Sequence, residues 1–396
     1  MPSILSHAQE LKEFSISLRR DLHMHPELGF QEVRTAGIVA DELRNLGYAV
    51  TEKVGKTGVV GMMTGDESGP TVMLRFDMDA LPIVEETGTD YASQTPGVMH
   101  ACGHDGHVTI GLTVARLLVQ QKSNLKGNVK LVFQPAEEGL GGAAAMIEDG
   151  VLEYPRPDAV LGLHLWNDHP VGWAAVTAGP FMTGADMFRI KITGKGGHGA
   201  IPNETIDPLI AGTQVVSALQ SVVSRNISPF DFAVVSITRF QAGTSFNIIP
   251  SEAELLGTVR TFKSDVRVKV HDRMLAIVES VCTGMGCRGE IEFFDITPPV
   301  VNAEYVTGIV RDAIVNVIPE MKIDSAFQGS ASEDMALFLQ EVQGCFFFIG
   351  SGPVDSEKRF GHHHPKFDID EDVLPQAAAI MTQAAINLLD SLAATR

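Results

Sequence analysis

One thiol, three imidazoles and a carboxylate fall within eight residues in His100-Ala101-Cys102-Gly103-His104-Asp105-Gly106-His107. A Cys thiolate and neutral imidazoles are preferred ligands of a borderline metal such as zinc. Gly103 permits the chain reversal that the Cys-Gly-His step needs. The same residues would also suit a redox or structural cysteine with histidines nearby.

Other candidates stand at the ends of short apolar runs. Val72-Met73-Leu74 and Phe76 lead into Asp77-Met78-Asp79-Ala80-Leu81-Pro82, and Val129 to Phe133 leads into Gln134-Pro135-Ala136-Glu137-Glu138-Gly139. Ala159 to Leu163 ends in His164, and Cys345 to Ile349 precedes Gly361-His362-His363-His364-Pro365. Runs of this kind read as buried parallel strands. Ligands of open α/β sheets bind outside the carboxyl ends of the strands. Four runs delivering Asp, Glu or His there, plus the Cys-Gly-His loop, predict one shared site. Asp77 and Asp79 face the same way if their strand continues, with a solvated turn as the alternative. His23-Met24-His25-Pro26-Glu27 reads as a loop of hydrogen-bonded polar groups, because Pro26 breaks a helix.

The elements that must position these groups follow from pattern. Residues 8–20, 35–46, 108–118 and 302–318 read as helices, and Asp372 to Leu392 as the closing helix, with Pro375 in its first turn. Ser332 or Asp334 is expected to cap a short helix over Met335 to Gln340. Between Asp186 and Phe294 the pattern changes to alternating strands and two helices in the order βαββαβ, the ferredoxin-like split unit. That insert presents His198 on Gly194-Lys195-Gly196-Gly197-His198-Gly199, Asn247 before Ile248-Ile249-Pro250, and Arg260 on a strand. Taken singly, His198 reads as a turn histidine and Arg260 as an exposed charge.

A chain of 396 residues is too long for one typical core, so two domains are expected. A net charge of -19 disfavours nucleic acid and anionic membranes as partners. No apolar run approaches the ~20 residues of a membrane span, and the start lacks the basic and apolar regions of a secretion signal. Four cysteines suit a reduced, cytoplasmic protein better than a disulfide framework.

In their order and spacing these motifs resemble the M20 metallopeptidase and amidohydrolase family, and within it the branch of hippurate hydrolases, N-acyl-amino-acid amidohydrolases and auxin-conjugate hydrolases. The likeness runs from His23-Glu27 through Asp77-Pro82, His100-His107, Gln134-Gly139, Gly162-His164, Gly196-Ala200, Asn247-Pro250, Gly257-Arg260 and Ser332-Asp334 to His363-Pro365. It implies an α/β chain with a mixed-sheet, three-layer catalytic domain of the zinc-exopeptidase kind (1–184 and 297–396) and an inserted ferredoxin-like α+β lid (185–296). It implies two divalent metal ions, zinc first and manganese, nickel or cobalt as alternatives. Cys102 would bridge them, with His104, Glu138, His164 and His363 completing the set. The family places the last ligand two residues before the proline, which selects His363 over His362 and His364. Glu137 would be the general base, Asp79 would orient a ligand, His198 would polarise the scissile carbonyl, and Asn247 and Arg260 would contact the substrate. Met335 stands where the family often has an aromatic, and Ala331 precedes Ser332, so the local pocket departs from the pattern. The implied reaction is hydrolysis of N-acyl or N-aroyl amino acids to a carboxylic acid and a free amino acid. A dipeptidase, carboxypeptidase or indoleacetyl-amino-acid hydrolase is the nearest rival, and a non-catalytic binding protein is another class. The resemblance also allows a homodimer through the lid, and leaves the oligomeric state open.

Overall fold

The computed structural model describes residues 3–395. The chain divides into two compact units, Met1–Phe181 with Val301–Gln328 and Asp334–Arg396, and Met182–Val300 with Gly329–Glu333.

The first unit is built on an eight-stranded mixed sheet. Its order is Ala49–Val54, Gly58–Thr64, Lys126–Gln134, Glu67–Asp77, Ala159–Pro170, Gly344–Gly352, Trp173–Ala175, Lys322–Asp324. The four strands from Lys126–Gln134 to Gly344–Gly352 run parallel to one another, and Gly58–Thr64 joins them antiparallel. These four correspond to the four apolar runs of the sequence. Successive side chains alternate between faces. Leu74, Phe76, Leu131, Phe133, Leu161, Leu163, Phe347 and Ile349 go to one face, into a core with the helices His104–Gln121, Glu304–Val317 and Val373–Ala394. The short helices Gly142–Glu148 and Met335–Glu341 also pack on the sheet. Arg75, Asp77, Gln134 and His164 alternate out of the first core on the same strands, so the polar groups share the other face. Contrary to the expectation that no apolar run approaches a membrane span, Val373–Ala394 is long and apolar enough to cross one, and more than half of it is buried within the unit as a core helix. Its apolarity follows from burial on several sides.

The second unit holds a four-stranded antiparallel sheet in the order Ala233–Ala242, Glu252–Thr261, Gly184–Thr193, Arg288–Thr297. The helices Pro208–Ser221 and Ser264–Gly284 complete the βαββαβ order. Phe188, Ile190, Ile192 and Leu255 meet Val215, Leu219, Met274 and Val278 in its core.

Two local expectations are corrected. The helix Lys12–Met24 runs through His23 and stops at His25, directly before Pro26, so His23 is helical and not in a loop. The strand Ala159–Pro170 continues past His164, because Trp166 and Pro170 still pair with Gly350 and Gly352.

Candidate metal centre

Cys102 lies on the loop that Gly103 turns, at a φ of 88°, into the helix His104–Gln121. Cys102 Sγ stands 3.5 Å from His164 Nε2. Donor atoms of Cys102, His104 and His164 lie within 4.8 Å of one another. So do those of Cys102, Glu138 and His363, and those of His104, Glu137 and Glu138. Because the three groups share Cys102, His104 and Glu138, the side chains converge on one place from a loop, a helix start, a turn, a strand and a distant loop.

Each histidine reveals its free nitrogen by what the other one does. His104 Nδ1 faces the Asp79 carbonyl oxygen at 2.9 Å and the Asp79 carboxylate at 3.2 Å. Both are acceptors, so Nδ1 carries the proton. The opposite Nε2 is buried and has no hydrogen-bond partner. His164 Nδ1 donates to the Leu165 carbonyl at 2.8 Å, which leaves its Nε2 lone pair facing Cys102. A buried unpartnered imidazole nitrogen is costly unless something else fills its place. A thiol, three imidazoles and a carboxylate arranged this way fit a borderline divalent ion.

His107 is different. Its Nε2 accepts from Leu165 N at 2.9 Å, so its Nδ1 donates to Asp77 at 2.5 Å. Asp77, His104 and His107 also cluster, but both His107 nitrogens are spent. Asp77 further accepts from Arg75 at 2.6 Å. The strand stops at Asp77, so the expectation that Asp77 and Asp79 share a direction is corrected: Asp77 turns to Arg75 and His107, and Asp79 to His104 and the Glu138 backbone N–H at 3.0 Å.

The triple histidine divides its tasks. His362 Nε2 donates to Leu165 O at 2.9 Å, and burial holds its pKa down at about 4. His364 Nδ1 accepts from Lys366 N at 3.0 Å. His363 Nε2 reaches Glu138 Oε1 at 3.1 Å. His363 has a left-handed backbone, with φ of 64°, and its N–H bonds to Ala101 O at 2.8 Å, next to Cys102. Ala136, just before the paired glutamates, is also left-handed at φ 52°. The buried Glu32 carboxylate accepts the Ala136 N–H at 2.9 Å. Such conformations are unfavourable for a residue with a Cβ and persist where the surroundings over-determine them.

The electrostatics call for positive charge. Burial and then the carboxylates of Glu138, Glu137 and Asp77 push the Cys102 thiol well up. Burial opposes a charged His104, but Asp77, Asp79 and Glu138 outweigh it and lift the ring to about 10. Burial and the neighbouring His107 and His362 hold His164 neutral. Burial would raise Glu138, yet the His363 hydrogen bond and the His104 charge keep it low.

Glu137, half-buried, accepts from Asp334 N at 3.4 Å. In the second unit His198 pairs with Ile248 on a two-residue ladder, and Gly199 N donates to Asn247 O at 2.8 Å, so His198 and Asn247 are neighbours. Arg260 lies in the four-stranded sheet, half-buried, with its guanidinium on the Thr258 hydroxyl and on Val259 O at 3.1 Å.

Sequence reasoning missed the buried framework. Arg19 is fully buried, with Asp105 at 2.8 Å and Asp368 at 2.8 Å, and His23 bridges Asp105 at 2.7 Å and Glu85 at 3.3 Å. Arg75, also fully buried, was legible as a charge inside an apolar strand run, like Lys130 on the neighbouring strand.

The family description Peptidase family M20/M25/M40 matches residues 73–387. The chain is 42% identical over 378 residues to an N-acetylcysteine deacetylase of Bacillus subtilis, covering 95% of this chain and 97% of that one. It is 43% identical over 294 residues to an N-acyl-L-amino acid amidohydrolase of Geobacillus stearothermophilus, covering 74% and 79%. Among solved structures, the YXEP protein of Bacillus subtilis, described as a dinuclear metal binding peptidase from the M20 family, aligns with a TM-score of 0.86 at 37% identity, covering 96% and 99%.

Proposed function

The chain belongs to peptidase family M20/M25/M40, and from that premise we propose that it is a metal-dependent amidohydrolase. It cleaves N-acyl or N-aroyl amino acids to a carboxylic acid and a free amino acid. The observation that carries this reading is the overlap of three donor groups on Cys102, His104 and Glu138, with the adjacent Glu137 directed into the last of them. A binding protein has no use for that second carboxylate.

Cys102, His104, Glu138, His164 and His363 are the proposed ligands of two divalent ions. Zinc suits the thiolate and imidazoles, and manganese, nickel or cobalt would also be held. When bound, such a pair supplies a water of lowered pKa and a charged clamp for the developing oxyanion. Glu137 takes the proton of the attacking water and passes it to the leaving amine, the role of a general base and then acid. Asp79 fixes the His104 ring and the Glu138 backbone together. For His198 the proposed role is contact with the scissile carbonyl, and for Asn247 and Arg260 contact with the rest of the substrate. A homodimer through the second unit is the proposed assembly. A cytoplasmic location agrees with four cysteines that are all unpaired.

The test is a panel of acetyl, benzoyl and indoleacetyl amino acids, with dipeptides alongside, given to protein stripped of metal and then reloaded. Hydrolysis of acyl amino acids that vanishes with chelator and returns with metal is expected. No turnover of any acyl amino acid by protein carrying two ions would overturn the reading.

A further inference from the structure

The Asp334 carboxylate does not do what its place in the sequence suggests. Asp334 is the residue before the helix Met335–Glu341, yet its side chain makes no capping bond. Its two oxygens are spent across 190 residues or more of sequence instead. Oδ1 accepts from Gln134 Nε2 at 2.7 Å and from Arg75 Nη2 at 3.0 Å, and Oδ2 accepts from Ala143 N at 2.9 Å. Gln134 ends the strand that enters the Glu137-Glu138 turn, and Ala143 lies in the first turn of the helix that leaves it. One carboxylate therefore pins both ends of that turn. The backbone N–H of the same residue faces Glu137 Oε1 at 3.4 Å.

The two side-chain partners are fixed in turn. Arg75 and Gln134 are fully buried, Asp334 is 2% exposed, and Arg75 Nε donates to Gln134 Oε1 at 2.8 Å. Arg75 also holds Asp77, which holds His107, which accepts the N–H of Leu165 beside His164. Inside the turn, Gly142 N donates to Ala136 O at 3.0 Å, which closes it on itself.

We propose that Asp334 is a positioning residue for Glu137. Its carboxylate sets the span of the turn that carries Glu137, and its N–H sets the direction of the Glu137 carboxylate. The proposal rests on Glu137 being the base. The contact to Glu137 is the longest in the network, as suits a group that must turn between the water and the leaving amine. Misplacing a reacting group by about 1 Å can cost about 100-fold in rate.

The test is a double-mutant cycle on metal-loaded enzyme with a benzoyl or acetyl amino acid. Asp334→Asn keeps size and backbone but can no longer accept all three bonds. It is expected to lower kcat about 10- to 100-fold, with KM within about twofold and two metal ions per chain retained at saturating metal. In a Glu137→Asp background, whose shortened carboxylate cannot use the same N–H, Asp334→Asn is expected to add less than about threefold. Gln134→Met removes one leg of the pin while Asp334 keeps Arg75 and the Ala143 N–H, and covers the case in which Asp334→Asn fails to fold. It is expected to lower kcat in the same direction by less. Equal loss in both backgrounds, a loss confined to KM, or loss of metal would overturn the proposal while leaving the amidohydrolase reading standing. Wild-type enzyme that turns over no acyl amino acid would overturn that reading itself.

Discussion

Asp79 holds His104 twice, through its carbonyl oxygen at 2.9 Å and its carboxylate at 3.2 Å, and so fixes which nitrogen of the ring is free. The other nitrogen, Nε2, is buried with no hydrogen-bond partner, 3.7 Å from Asp77 Oδ2. Carboxylates of this kind orient a ligand and raise its basicity, and losing one costs typically 10- to 100-fold in metal affinity. Asp79→Ala also frees the Glu138 N–H. Competition with a chelating dye is expected to give metal binding weaker by about that factor.

Metal uptake should release protons. Cys102 and His104 are both held protonated at neutral pH, the thiol by burial and carboxylates, the ring by Asp77 and Asp79 against burial, at a pKa of about 10. Ligands must be deprotonated to bind, so about two protons leave per chain, one from each, and His363, whose pKa the Glu138 hydrogen bond raises, adds to that number. Calorimetry in buffers of different ionisation enthalpy measures that number, and affinity is expected to rise with pH. The metal-free protein behaves oppositely. A histidine whose folded pKa is raised contributes stability below its unfolded value near 6.5, lost as pH rises toward 10. Melting of apo protein is therefore expected at lower temperature as pH climbs through that window, and of loaded protein to be far less sensitive.

Glu137→Gln keeps the shape of the base and removes its basicity. A positioned general base contributes typically about 10²- to 10⁴-fold. Turnover is expected to fall by that factor while metal content, read by elemental analysis, stays at two ions per chain.

Gly142→Ala probes the turn itself. A Cβ at Gly142 would overlap the Pro135 carbonyl oxygen and crowd the Ala136 carbonyl oxygen, both backbone atoms that cannot swing aside. The turn must open, and Glu137 and Glu138 move with it. Both kcat and metal affinity are expected to fall in this variant. A Gly139→Ala control meets no neighbour at its Cβ but carries a φ of 78°, so it reports the backbone strain alone.

The ends of buried strands were the part of this molecule that sequence made legible. Apolar runs of β-branched and aromatic residues can go nowhere but a covered sheet, so Asp77 and the paired glutamates were marked by what preceded them. The βαββαβ insert was legible for the same reason, in its switch from continuous to alternating apolarity. Contacts between residues far apart in the chain were not. Nothing near Asp334 signals that its carboxylate serves Gln134 and Ala143, because a capping role satisfies the same local pattern. His107 looks like a ligand until Leu165 N and Asp77 take its two nitrogens. His23 reads as a loop residue only if Pro26 acts several residues upstream; the helix ends at Met24, two residues before the proline.

The central claim is that five dispersed side chains hold a pair of ions. A crystal structure of protein loaded with zinc, with anomalous data collected above and below the zinc edge, tests it most directly. The account predicts two peaks contacted by Cys102, His104, Glu138, His164 and His363, with His107 still bound to Asp77 and Leu165. A single peak, or one ligated by Asp77 and His107, would contradict it.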